Sequence, residues 1–426
     1  MQELVPIQEG GRGTALAVAA GRRGPSQRTA PSKTALVLGG GGFTGGVYEI
    51  GALRALDLLS VNHNVNQFDV YVGTSAGSMV AAMAANGVTP AQMMREVDGG
   101  SMLPFRDGRL GKLLRPNYRE FITKGVQLPV HLAGALRTLG RVPASFSPVD
   151  IAVALAEGLP SGLYTGAGIE EYMRGMLSQA GRSDDFEAVG KELYIAAMDL
   201  DTCERIVLGG GGWEDVPISA AVRASTAIPM LYKPYELKGR TLIDGGISST
   251  TNFDLAVEAG ARLIIVINPL VPFINDSGRE INTMLGSRVK RVADMGFPKI
   301  GYQTFKLVAH QRLHEMARDW EERYPDVDFV LIEPDTDDEL MFETNIMDYA
   351  SRLEVARHGF RSVTMKLADD YDRLDEISRR HGIEISATRL RRVVDHFMAE
   401  PEKARAWRRI LEQTTGSLLR QSAGQR

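Results

Sequence analysis

The sequence predicts an α/β fold built on a mostly parallel central sheet flanked by helices, with a helical C-terminal region. Three observations carry this: short apolar runs of strand length, helical apolar spacing between several of them, and glycine-rich turns where strand gives way to helix. The first strand is expected at Thr34-Ala35-Leu36-Val37-Leu38, a continuous apolar run of the kind buried on both faces. Glycines follow it, and then Val47, Ile50, Leu53, Leu56 and Leu59 recur at helical spacing. Asp69-Val70-Tyr71-Val72 reads as the second strand, and Ala76 to Ala85 as a helix stopped by Asn86-Gly87. Further strands are expected at Leu193–Met198, Arg205–Leu208, Thr241–Ile243, Leu263–Ile267 and Asp328–Ile332.

Residues 1–33 are rich in Gly, Arg, Ser and Pro without apolar periodicity, and are expected to form a disordered arm. The main domain is then 34–335, and 336–426 a helical, mixed-charge region without a recognisable motif. Within the main domain, 101–145 stands apart. Arg106, Arg109, Lys112, Arg115, Arg119, Lys124, Arg137 and Arg141 face only Asp107 and Glu120, and leucines are interleaved among them. That basic, apolar insertion is a candidate lid or membrane-docking surface, since anionic lipid attracts each nearby Lys or Arg by about 1 kcal/mol. The plain alternative is a surface insertion whose leucines complete the core.

Across 426 residues, 44% are hydrophobic and 24% charged, ordinary for a globular chain. A formal net charge of −4 gives no reason to expect nucleic acid as a partner. One cysteine, Cys203, excludes an internal disulfide and fits a reducing compartment. Leu263–Ile274 is the longest apolar stretch, and it is interrupted and too short to span a bilayer. The small-residue run Thr14–Ala20 is weakly hydrophobic and followed by Arg22-Arg23, a poor secretion signal. The expectation is a cytoplasmic protein, peripheral at the membrane if 101–145 docks there; its oligomeric state is open.

The chemistry concentrates in three segments. Leu38-Gly39-Gly40-Gly41-Gly42-Phe43-Thr44-Gly45-Gly46 joins the first strand to the first helix, where backbone N–H groups and a helix N-terminus suit an anion. Gly40, Gly42 and Gly45 satisfy a dinucleotide spacing. That reading wants an acidic residue at the end of the second strand, where Gly73-Thr74-Ser75 stands instead. Gly73-Thr74-Ser75-Ala76-Gly77 matches G-x-S-x-G between strand and helix, where a sharp turn would present the Ser75 hydroxyl at the sheet edge. Read plainly, it is a serine N-cap worth about 1 kcal/mol. Asp244 directly follows Thr241-Leu242-Ile243 and precedes Gly245-Gly246, so it too is expected at a strand end. Of the seven histidines, none sits at a strand end with turn chemistry around it. His310 and His314 are four apart on a predicted helix but show no further metal-ligand partner in sequence.

Together these segments resemble the patatin-like phospholipases. Ser225-Thr226-Ala227-Ile228-Pro229, Met198-Asp199-Leu200-Asp201 and Ser161-Gly162-Leu163-Tyr164-Thr165-Gly166 are similar to further landmarks of that family, and the resemblance spans roughly 34–270. It implies a lipid acyl hydrolase, phospholipase A- or lysophospholipase-like, with a serine–aspartate dyad and neither cofactor nor metal. Ser75 would attack the ester carbonyl, Asp244 would take its proton, and Gly40, Gly41 and Gly42 would hold the oxyanion. Losing one such donor typically costs about 3–4 kcal/mol. Aspartate, with an ordinary pKa of about 3.9, would need burial or a direct bond to the hydroxyl to serve as base. The family usually writes its loop with a basic residue where Thr44 stands here. Two other readings are a Ser-His-Asp esterase completed by a later histidine, and a non-catalytic lipid-binding protein on the same fold.

Overall fold

The computed structural model describes residues 17–19, 32–98, 114–127, 158–275, 278, 280–282, 288–344 and 346–397. Five strands run parallel, in the order Asp328–Ile332, Leu263–Ile267, Thr34–Leu38, Val70–Thr74 and Glu192–Asp199. Arg240–Asp244 joins this block antiparallel to Glu192–Asp199, and Tyr235–Leu237 lies outside it. Arg205–Leu208 also pairs antiparallel with Glu192–Asp199. Two short strands, Gly162–Tyr164 and Met230–Tyr232, form a separate parallel pair that the sequence pattern did not announce. The fold is the mixed α/β architecture expected.

The sheet is buried on both faces because its strands alternate. Leu36, Leu38 and Tyr71 point into the larger apolar cluster, while Ala35, Val37, Val70 and Val72 point into the other beside Phe253, Trp320 and Phe329. Each fully buried Leu or Val contributes roughly 1.5–3 kcal/mol. Trp320 seals the second cluster, its indole N–H donating to the Val327 carbonyl at 2.9 Å.

The structure departs from the sequence reading in three places. In the arm expected to be disordered, Ala17–Ala19 forms a strand antiparallel to Asp328–Ile332; these small residues lend their backbone to the open sheet edge. The first helix begins at Gly42, not near Val47, so part of the glycine run is helical. The region beyond 336 shares the main core: Val355, Ala356, Val363 and Leu367 of the Arg352–Asp369 helix belong to the larger cluster. That helix crosses the Gly42–Leu59 helix so closely that a Cβ on Gly51 would lie 2.3 Å from the Ala356 carbonyl oxygen. One on Gly359 would lie 2.6 Å from that of Tyr48. Glycine on both sides is the condition for this crossing.

Candidate active site

Ser75 ends the Val70–Thr74 strand and heads the Ala76–Ala85 helix. Its backbone sits at φ 54°, ψ −127°, a region a β-carbon disfavours, so the turn stores strain at the hydroxyl-bearing residue. The flanking glycines have a steric reason. A Cβ on Gly73 would lie 2.5 Å from the Ser78 Cα, and one on Gly77 would lie 2.3 Å from the Leu38 carbonyl oxygen. Gly77 N–H also donates to the Gly39 carbonyl at 3.2 Å, which joins the elbow to the glycine loop.

Asp244 arrives from an antiparallel strand. Its register partner is Ala197, one residue beyond the Ala196 that pairs with Thr74, so its strand ends level with the elbow. The Ser75 hydroxyl donates to Asp244 Oδ2 at 2.5 Å, while Oδ1 accepts the Gly246 N–H at 2.7 Å. The Asp244 N–H donates to the Ala227 carbonyl at 3.0 Å, anchoring the backbone. Burial raises the Asp244 carboxyl to about 6, against the lowering effect of its bonds to Ser75 and Gly246. A carboxylate near neutrality is a stronger base than a solvated one, which is what proton removal from a serine requires.

The glycine loop lies against this pair: a Cβ on Gly40 would be 3.3 Å from the Ser75 Cβ. Gly39 N–H donates to Ile267, and Gly40 N–H donates to the Thr250 carbonyl at 2.8 Å. Gly40 is therefore committed within the protein, contrary to its expected share of an oxyanion site. Gly41 caps the helix and Gly42 opens it at φ 64°; among the described residues their N–H groups have no acceptor.

The sequence matches the family profile described as patatin-like phospholipase over residues 36–257, just over half of the chain. The chain belongs to the patatin-like phospholipase family. It is 24% identical over 223 residues to the probable lipid hydrolase 463L of Invertebrate iridescent virus 6, covering 52% of this chain and 63% of that protein. It is 26% identical over 224 residues to the uncharacterized protein YqhO of Bacillus subtilis (strain 168), covering 49% and 64%. The chain thus spans somewhat less than two thirds of either relative. Among solved structures it is similar to VipD from Legionella pneumophila, with 13% identity, 86% and 72% coverage and a TM-score of 0.36. Similarity also extends to the type III effector protein ExoU, at 14% identity, 80% and 53% coverage and a TM-score of 0.29.

The matched segment of this patatin-like chain contains Ser75, Asp244 and the glycine loop. Among the described residues, the Ser75 hydroxyl has no hydrogen bond to a histidine. His358 faces Asp338 Oδ2 at 2.5 Å, His381 faces Asp328 Oδ2 at 2.7 Å, and His310 and His314 gather around Glu333. Thr44, at the family's basic position, is buried, and its N–H donates to the Ile346 carbonyl at 3.2 Å.

Sequence reasoning assigned no role to three residues that hold the site. Ser225 Oγ accepts the Ser75 N–H at 2.8 Å, fixing the elbow from the neighbouring helix. Asn252 Nδ2 donates to Thr74 Oγ1 at 3.0 Å and to the Ser249 carbonyl at 2.7 Å. Thr250, through its carbonyl, holds Gly40. The segment after Asp244 therefore grips both the glycine loop and the serine elbow. Its only sequence signal is the polar run Ser248-Ser249-Thr250-Thr251-Asn252, which reads as a loop.

Proposed function

We propose that this chain is a lipid acyl hydrolase that cleaves carboxylic ester bonds through a Ser75–Asp244 dyad. The observation that carries the reading is the 2.5 Å hydrogen bond from the strained Ser75 hydroxyl to a buried carboxylate raised to about 6. Asp244 removes the Ser75 proton as Oγ attacks the acyl carbonyl. The developing oxyanion is held by the Gly41 and Gly42 N–H groups at the head of the first helix. The proton then passes from Asp244 to the leaving alkoxide, leaving an acyl-enzyme. Asp244 next activates water to release the fatty acid and return the serine.

Membership of the phospholipase family and likeness to a protein named as a probable lipid hydrolase support acyl lipids as the substrate class. Most of the basic insertion lies outside the described residues. Its described part carries Tyr118, Ile122 and Val126 exposed at helical spacing, which supports contact with an apolar surface. No helix among the described residues is long and apolar enough to cross a membrane.

The test is fatty-acid release from mixed phospholipid vesicles and from a short soluble ester, comparing the natural chain with Ser75→Ala and Asp244→Asn. The proposal expects both folded variants to lose turnover on both substrates. Lipid binding without acyl release by the natural chain would instead identify a binding member of the family. Persistence of activity in Asp244→Asn alone would return the histidines to consideration.

A further inference from the structure

We propose that His310, His314 and Glu333 form a binding site for one divalent transition-metal ion of the zinc class, apart from the Ser75–Asp244 pair. His310 and His314 lie one turn apart on the Phe297–Arg318 helix, so their rings share a face, with centroids 4.1 Å apart. Glu333 directly follows the Asp328–Ile332 strand and points its carboxylate at both rings. Glu333 Oε2 is 2.8 Å from His314 Nε2 and 3.9 Å from His310 Nε2. One donor atom from each residue falls within 4.8 Å of the others.

These separations bracket what an ion needs. Zinc bonds nitrogen and oxygen at about 2.0–2.2 Å, so tetrahedral ligand atoms stand about 3.3 Å apart. All three donor atoms already lie within 4.8 Å of one another, close to the spacing that such an ion requires. The donor set, two imidazoles and one carboxylate, is that of a three-ligand site with an open fourth position. The three side chains keep 21%, 36% and 12% of their surface exposed, so water reaches the vacant corner.

Two features separate this cluster from a surface ion pair. A Glu333–His314 pair would not require a second ring, yet the His310 ring lies beside the first, tilted 38° to it with centroids 4.1 Å apart. Among the described residues it makes no hydrogen bond of its own. The other carboxylate oxygen, Glu333 Oε1, accepts from Asn268 Nδ2 at 2.7 Å, and Asn268 is fully buried, its own N–H bonded to the Ile332 carbonyl at 2.9 Å. A buried partner that fixes the orientation of a carboxylate is the outer-shell support that metal ligands receive. Pro269, the next residue, packs against Gly41 and Gly45, so the site adjoins the wall of the glycine loop.

The test is calorimetric titration of zinc chloride into the chelator-treated full chain, repeated with cobalt chloride and read by visible absorption. The expected result is one equivalent bound, a tetrahedral cobalt band without thiolate charge transfer, and affinity reduced at least about tenfold in His310→Ala. Glu333→Gln should weaken binding similarly. His310→Ala removes no hydrogen bond seen here, so the fold is expected to survive it. The proposal is overturned if the natural chain binds no zinc at micromolar concentration. It is equally overturned if His310→Ala and Glu333→Gln both bind as tightly as the natural chain, which would place the ion elsewhere, such as at the exposed Cys203.

Discussion

The Ser75 elbow and the crossing of the first helix with the Arg352–Asp369 helix make the same demand in different ways. Each brings backbone within about 2.5 Å of where a β-carbon would stand, and each meets that demand with glycine. At the elbow the two glycines flank a serine within five residues, so the requirement is written as a local motif. At the helix crossing, Gly51 and Gly359 are separated by most of the chain, and neither has a distinctive neighbour. The region proposed to do chemistry announces itself; the one that supports the fold does not.

The largest effect that sharpens this comparison is on turnover. Ser75→Ala should reduce acyl release by about 10⁴-fold or more while leaving the thermal transition nearly unchanged. Loss of fold in that variant would mean the elbow serves stability as well as chemistry. Gly51→Val should do the reverse. Its side chain collides with the Ala356 carbonyl, at a cost of about 3 kcal/mol. That lowers the melting temperature by several degrees for a chain of this size. The fraction that stays folded should turn over at the natural rate, and a reduced rate per folded molecule would show that the C-terminal helices act on the site.

Ser225→Ala is expected to be milder. It leaves the buried Ser75 N–H without its acceptor, at about 1–3 kcal/mol. Part of that should appear as roughly a tenfold lower kcat with KM little changed, since the substrate does not meet Ser225. Smallest per unit of pH is the ionisation of Asp244. With Asp244 as the proposed base, the carboxylate is the active form, so kcat/KM should fall about tenfold per unit as pH drops below about 6. A profile flat down to pH 4 would remove Asp244 as the base.

Legibility followed the same division. Thr34–Leu38, Ala76–Ala85, Arg205–Leu208, Leu263–Ile267 and Asp328–Ile332 were visible because apolar runs and turn residues act over a few positions. Ser75 stood out because a strained turn restricts residue choice nearby, and Asp244 because the close-packed glycine after it marks a strand end. The antiparallel entry of the Asp244 strand could not be read locally, since it depends on pairing with Glu192–Asp199. Nor could the capture of Gly40 by Thr250 or the meeting of Glu333 with His310 and His314, which are decided by tertiary placement.

The most direct test of the dyad is Asp244→Asn, measured for single-turnover acyl release from a soluble ester and for thermal stability across pH. In the folded protein the carboxyl holds its proton up to about pH 6, against 3.8 for the ordinary group. Stability from the neutral form is therefore full below about pH 4 and is lost as pH rises through 6, up to about 3 kcal/mol. With Asp244 as the base, Asp244→Asn should slow acyl transfer by at least about 10³-fold and gain stability over the natural chain as pH rises from 4 to 7. A variant that acylates within tenfold of the natural rate would contradict it.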